Sequence, residues 1–209
     1  MSNKGQGGLY VISAPSGAGK TSLVRALVAR RPNLVLSVSW TTRAPRPGER
    51  DGRDYHFADA ERFAAMCAAG EFLESATVFG NGYGTRAADV ARLRAAGRGV
   101  VLEIDWQGAR AVRATLPETV SVFILPPSRA SLYARLAGRG TDSEAVIARR
   151  MAAAAAEIVH WDEYDYVIVN EDFARALDEL DAVSGGAGDA SRRGRPGLAD
   201  FAADLLAAG

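Results

Sequence analysis

The chain has 209 residues, 25 basic and 25 acidic side chains and a formal net charge of zero, so no global field draws it to nucleic acid or to an anionic membrane. Its one cysteine, Cys67, excludes an internal disulfide and a cysteine-rich metal site and fits a reducing compartment. The N-terminus lacks an apolar signal core and no stretch reaches the roughly 18–20 apolar residues of a membrane span, so the reading is a soluble, cytoplasmic protein with neither nucleic acid nor membrane as partner.

The length suits one substantial core carrying inserted subdomains, at ~100–200 residues per domain. The first strong signal is residues 9–21, LYVISAPSGAGKT. Tyr10, Val11 and Ile12 suit a buried strand, Gly17 and Gly19 permit a sharp turn, and Leu23, Ala26, Leu27 and Ala29 recur at helical spacing. Strand, glycine turn and helix N-terminus in this order form a phosphate-binding loop, in which successive N–H groups converge on an anion. Ala14 replaces the first glycine of the G-x-x-x-x-G-K-[ST] pattern, the smallest possible change, while Gly17, Gly19, Lys20 and Thr21 match it. Lys20 is suited to bridging β- and γ-phosphate oxygens, and the Thr21 hydroxyl is a Mg²⁺ ligand type.

Further along, residues 34–39 alternate as a strand, and TTRAPRPGERDGRDY then places Arg43 and Arg46 on an exposed, proline-rigid loop. A short strand at 55–57 and a helix over 59–69 follow, with Asp59 as N-cap and Gly70 as stop. EFLESATVFGNGYGT reads as a strand ending in glycine turns, and a helix near 86–96 closes the insertion. Residues 99–105, GVVLEID, read as a buried parallel strand with Glu103 and Asp105 at its C-terminal end, where open α/β sheets bind ligands.

A helix over 107–115 leads to a strand at 120–125, and Ser128 caps a further helix. A helical hairpin follows, its arginines Arg135, Arg139, Arg149 and Arg150 forming the densest basic cluster. The last strand is 166–169, and Phe173, Leu177, Leu180 and Val183 give a closing helix its apolar face. SGGAGDASRRGRPG, residues 184–197, has the composition of a flexible linker, and LADFAADLLAA forms a short amphipathic helix for its own chain or a partner subunit, leaving monomer and homo-oligomer both open.

Strands alternating with helices imply a parallel sheet that brings Lys20 and Asp105 to one edge, where a nucleoside triphosphate with Mg²⁺ is one ligand. The insertion offers a second. Arg43 and Arg46, with the hydroxyls of Tyr55 and Tyr83, match a terminal phosphate, and Glu74 can accept from adjacent ring donors, which guanine has and adenine lacks. The residues alone thus point to phosphoryl transfer between two nucleotides. Cys67, His56, His160 and the three tryptophans read as structural.

SAPSGAGK, SWTTRAPRPGE with Tyr55, GNGYGT, DWQGA, ILPPS, RLAGRG and IVNED, in this order, resemble the guanylate kinase family from about residue 9 to 180. The resemblance implies an α/β P-loop NTPase three-layer sandwich with a parallel core sheet (1–38, 97–126 and 160–183), an inserted mixed α/β GMP-binding subdomain (39–96) and a helical lid (127–159). It implies transfer of the ATP γ-phosphate to GMP or dGMP, with Mg²⁺, in purine nucleotide supply. It puts Ser16, Gly17, Ala18, Gly19, Lys20 and Thr21 at the ATP phosphates and Asn170 near the ATP base. Ser39, Arg43, Arg46, Tyr55 and Tyr83 fall near the GMP phosphate, and Glu74, Gly84, Thr85 and Asp105 around guanine. Arg135, Arg139 and Arg150 match lid arginines that join Lys20 and Arg43 in catalysis.

Two positions depart from the family pattern. Gly82 stands where a first tyrosine is usual, which implies a more flexible segment, and Glu103 stands for an aspartate. Two other readings share the architecture: a non-enzymatic module that binds phosphorylated partners, and a kinase for a phosphorylated sugar. The first needs no intact ATP loop, and the second needs no Glu74, Thr85 and Asp105 arranged around a base.

Overall fold

The computed structural model describes residues 6–78, 80–138 and 143–207. Its centre is a five-stranded parallel sheet in the order β2-β7-β1-β8-β9, formed by β1 (Leu9–Ser13), β2 (Leu34–Leu36), β7 (Gly99–Glu103), β8 (Val120–Leu125) and β9 (Tyr166–Val169). Successive side chains of a strand face opposite ways, so each strand feeds two cores. Leu9, Val11, Leu102, Phe123 and Val167 pack on one face, against α3 (Ala87–Ala95) and α4 (Trp106–Thr115). Ile12, Val101, Val122, Ile124 and Ile168 pack on the other, against α1 (Lys20–Arg30) and α7 (Phe173–Ser184). The result is the three-layer α/β arrangement that the sequence implies.

Residues between β2 and β7 form a second, mixed sheet of four strands in the order β4-β3-β6-β5: β3 (Trp40–Thr41), β4 (His56–Phe57), β5 (Phe72–Val78) and β6 (Asn81–Arg86). Helix α2 (Ala60–Ala68) covers it, with the Asp59 carboxylate accepting the Arg62 N–H at 2.7 Å as its cap, and Phe63, Met66 and Trp40 form a small core. Helices α5 (Arg129–Ala137) and α6 (Glu144–Ile158) pack on each other through Leu132, Leu136, Ile147 and Ala154. Ser128 caps α5 by accepting the Ser131 N–H at 3.0 Å, as its sequence position predicts.

Four local expectations are corrected. The GNGYGT segment is not a glycine turn but strand β6, and Gly82 is held on both sides: its N–H donates to Thr42 Oγ1 at 2.8 Å and its carbonyl accepts the Thr42 N–H at 3.0 Å. The Phe63 ring fills the space a side chain would take, since a Cβ on Gly82 would stand 2.7 Å from it. Strand β7 ends at Glu103 rather than Asp105, because the Asp105 carboxylate turns back to accept the Gly108 N–H at 2.8 Å and caps α4. Phe173, at the first turn of α7, is 44% exposed, and Ala176 takes its place on the buried face.

The fourth concerns residues 184–197, expected to be a flexible linker. They run along β9, an edge strand with backbone groups to satisfy. Arg192 bridges Tyr166, the Arg193 N–H donates to the Asp165 carbonyl at 3.2 Å, the Arg195 guanidinium donates to the Val167 carbonyl, and Ser191 Oγ donates to Glu179 at 3.0 Å. Helix α8 (Leu198–Ala207) then buries Leu198, Ala202 and Leu205 in the chain's own core. No helix among the described residues is long and apolar enough to cross a membrane.

Candidate active site

The loop between β1 and α1 turns through Gly17 and Gly19, both left-handed with φ of 90° and 95°. At Gly19 the requirement is double, because a Cβ there would lie 2.4 Å from Asn170 Nδ2. That amide donates to the Ala18 carbonyl at 2.7 Å and fixes the back of the loop. Asn170 is buried at 4% exposure with its side chain turned to the back of the loop. Arg135, from α5, donates to the Asn170 carbonyl at 3.1 Å and reaches the Ala18 carbonyl at 3.4 Å. Ala14 packs into the core behind the loop without displacing it.

In front of the loop is a cleft of about 510 Å³. Ser16, Gly17, Gly19, Lys20, Thr21, Asp105, Arg135 and Arg150 all line it, so eight of the predicted residues converge. Ala18 is fully buried and contributes its backbone. Lys20 Nζ lies 3.4 Å from the Ile104 carbonyl, and Thr21 Oγ1 donates to Glu103 Oε1. Arg149 is exposed on the outer side of α6, while Arg139 lies outside the described residues.

The insertion supplies the other end. Glu74 on β5 and Thr85 on β6 are register partners, buried at 8% and 1% exposure, and Thr85 Oγ1 donates to Glu74 Oε1 at 2.6 Å. Burial pushes the Glu74 carboxyl up from its usual range and the charge of Asp105 adds to the rise, opposed by hydrogen bonds from Thr85. Gly108 lets α4 approach, since a Cβ there would stand 2.9 Å from Glu74 Oε2. Gly84 is likewise closed on by Phe72, whose Cδ1 would lie 2.8 Å from a Cβ.

The phosphate-grade groups of the insertion are gathered around Tyr55. The Arg43 guanidinium carbon lies 5.3 Å from the Tyr55 ring centroid, and the Tyr83 ring meets Tyr55 edge-on at 6.1 Å. One Arg43 nitrogen holds both Glu49 oxygens, at 2.8 and 2.9 Å, which raises the guanidinium pKa, and Tyr83 adds a further hydrogen bond. Glu49 also accepts the Arg46 N–H at 2.8 Å, while the Arg46 side chain is exposed. Ser39 is half-buried, its carbonyl accepting the His56 N–H at 2.9 Å.

Sequence reasoning missed Glu157 and Glu49. Glu157 lines the phosphate cleft from α6; its spacing of seven from Arg150 puts the two on one helix face, a signal that was there to be read. Glu49 had no such signal, because only the folded loop turns it onto Arg43. The two histidines stack on tryptophans, His160 on Trp106 at 3.6 Å and His56 on Trp40 at 4.8 Å, in keeping with structural roles.

The family model described as guanylate kinase matches residues 6–184. A guanylate kinase of Alkalilimnicola ehrlichii is 56% identical over 200 residues, covering 96% of this chain and 98% of its own. One of Methylococcus capsulatus is 58% identical over 201 residues, with the same coverage. The crystal structure of guanylate kinase from Anaplasma phagocytophilum superposes with a TM-score of 0.71 at 36% identity, over 88% of each chain.

Proposed function

This chain belongs to the guanylate kinase family, and we propose that its cleft transfers the γ-phosphoryl group of ATP to GMP, giving ADP and GDP. The observation that carries this reading is the pairing of two unlike ends: a glycine loop with Lys20 and Thr21 at one, and the buried Glu74–Thr85 pair near Asp105 at the other. The first has the chemistry for a phosphate chain, and the second has a carboxylate for the N1–H and amino donors of guanine.

ATP phosphates take the N–H groups of residues 16–21, with Lys20 at the β- and γ-oxygens. Arg43, Arg46, Tyr55 and Tyr83 hold the GMP phosphate, Arg43 exchanging Glu49 for it, and Ser39 adds a hydroxyl. Glu74, Thr85 and Asp105 hold the base. The attacking GMP oxygen is already ionised at neutral pH, so no general base is needed. Catalysis consists of alignment and of charge stabilisation by Lys20, Arg135, Arg150 and Arg139 on the equatorial oxygens, with closure of the 127–159 lid excluding water. Asn170 acts from behind, holding Ala18 and hence the loop.

The Thr21 hydroxyl beside the Glu103 carboxylate is a hard oxygen pair of the kind Mg²⁺ takes, with the remaining ligands from nucleotide and water. Held at Thr21, Mg²⁺ would supply positive charge to offset that of the β- and γ-phosphates. We read the chain as cytoplasmic, in line with the nucleotide pools it uses. Incubation with ATP labelled in its γ-phosphate, GMP and Mg²⁺ tests the assignment: label should appear in GDP with the native protein and be lost with Lys20→Ala, whereas label released only as inorganic phosphate contradicts it.

A further inference from the structure

The phosphate cleft contains one ionisable group that the transfer does not use. Glu157 lies in the last turn of α6 and lines the cleft with Arg150 and Ala153, at spacings that put all three on one helix face. Glu157 lines the same cleft as Ser16 and Lys20, and the Lys20 charge and the Ser16 backbone N–H both favour its ionised form. Ser16 N–H and Lys20 are the groups that such a loop offers to a phosphate chain. Here they face a carboxylate carried by the lid.

Burial pushes the Glu157 carboxyl up from its usual range, opposed by Lys20 and the Ser16 N–H, with Asp105 adding to the rise. A carboxylate is therefore costly to hold at this point. A triphosphate brings more charge and more acceptor oxygens to the same donors, and it cannot share them with an anion a few ångströms away.

We propose that Glu157 is a positioning residue whose carboxylate acts as a stand-in anion and competes with nucleotide phosphates for Ser16 and Lys20. The proposal rests on the reading of this cleft as the ATP site. Nucleotide entry displaces the carboxylate, and because Glu157 belongs to α6, the base of the lid helix shifts relative to the loop. Arg150 stands two turns away on the same face, roughly 10 Å at ~1.5 Å per residue, so one helix offers the loop a competing anion and offers the phosphates a cation. When ADP leaves, Glu157 returns, which assists product release.

The test is ADP affinity by isothermal titration calorimetry on the full chain, native against Glu157→Gln and Glu157→Ala, with steady-state kcat and KM for ATP alongside. Removing one unit charge beside a polyanion in a half-open cleft predicts ADP binding about tenfold tighter in both variants. KM for ATP falls with it, while kcat stays level or drops because ADP leaves more slowly. A purely structural role predicts the reverse: weaker binding for Glu157→Ala and little change for Glu157→Gln, which keeps the shape. Should Glu157→Ala fold poorly, Glu157→Gln decides, and unchanged or weaker ADP binding by that variant overturns the proposal. Native protein that binds ADP without phosphorylating GMP sinks the acceptor assignment alone, leaving these affinities to decide on Glu157. Native protein that binds no ADP overturns both.

Discussion

Thr85 Oγ1 donates to Glu74 Oε1 at 2.6 Å, across a β5–β6 register in which the two residues are direct partners. The bond leaves Glu74 Oε2 available toward α4, where Gly108 makes room for it. A buried carboxylate aligned by a hydroxyl in this way is costly without a ligand and well placed for a base with two adjacent donors.

The first prediction follows from that cost. The folded-state pKa of Glu74 is raised above its unfolded value, chiefly by burial. The destabilisation from its charge is therefore full above the folded pKa, fades as pH falls between the folded and unfolded values, and is absent below the unfolded one. Glu74→Gln should melt higher than the native protein at neutral pH and lose that advantage toward pH 4. Its kcat/KM for GMP should drop roughly 10–100-fold, the loss of a charge-assisted hydrogen bond of ~1.5–3 kcal/mol. Thermal melts across pH with GMP kinetics check both halves.

Arg43 makes a second case. One of its nitrogens, Nη2, holds both Glu49 oxygens, the other, Nη1, donates to the Ala44 carbonyl at 2.7 Å, and the guanidinium carbon lies near the Tyr55 ring, a planar set of donors aimed two ways that an ammonium does not reproduce. Arg43→Lys should therefore lose nearly as much kcat/KM for GMP as Arg43→Ala, about tenfold or more. Near-native activity in the lysine variant would show that charge alone suffices.

Much of this architecture can be read from residues alone, and for identifiable reasons. The loop of Gly17, Gly19, Lys20 and Thr21 is local, so its chemistry and its position between strand and helix are written together. Asp59 and Ser128 cap their helices as their positions imply. The end of β7 is misread locally, since Asp105 turns to cap α4 through Gly108 three residues on, but the larger misreadings are long-range. Gly82 reads as a turn residue until Thr42 and Phe63 are brought against it from elsewhere in the insertion. The bond from Asn170 to the Ala18 carbonyl, 152 positions away, is a contact that neither segment announces on its own. The 184–197 segment has linker composition, yet its pairing with the edge strand β9 uses backbone and arginine groups that composition cannot reveal.

The docking of α8 gives a third prediction. Leu205 is buried at 4% exposure, and Leu205→Ala should cost about 2–5 kcal/mol. For a chain of this size that is a fall in melting temperature of roughly 5–15 °C. A melting point unchanged by the substitution would mean that the helix does not pack on its own chain.

Lys20 should separate binding from chemistry. Its Nζ lies 3.4 Å from the Ile104 carbonyl in the cleft, and the proposed reaction sets it against charge that develops during transfer. Lys20→Ala is expected to lower kcat by about 10²–10³, with a smaller effect on KM for GMP, whose site is built by the insertion. Equal losses in both parameters would place Lys20 in ground-state binding instead.

The most direct test of the central claim is an ADP-release assay with ATP and Mg²⁺, comparing GMP, AMP, UMP, CMP and ribose 1,5-bisphosphate as acceptors. The arrangement of Glu74, Thr85 and Asp105 around a base predicts turnover confined to GMP and dGMP, with the other nucleotides lower by several orders of magnitude because they leave the buried carboxylate without its donors. Comparable turnover with AMP or with the sugar bisphosphate would contradict it.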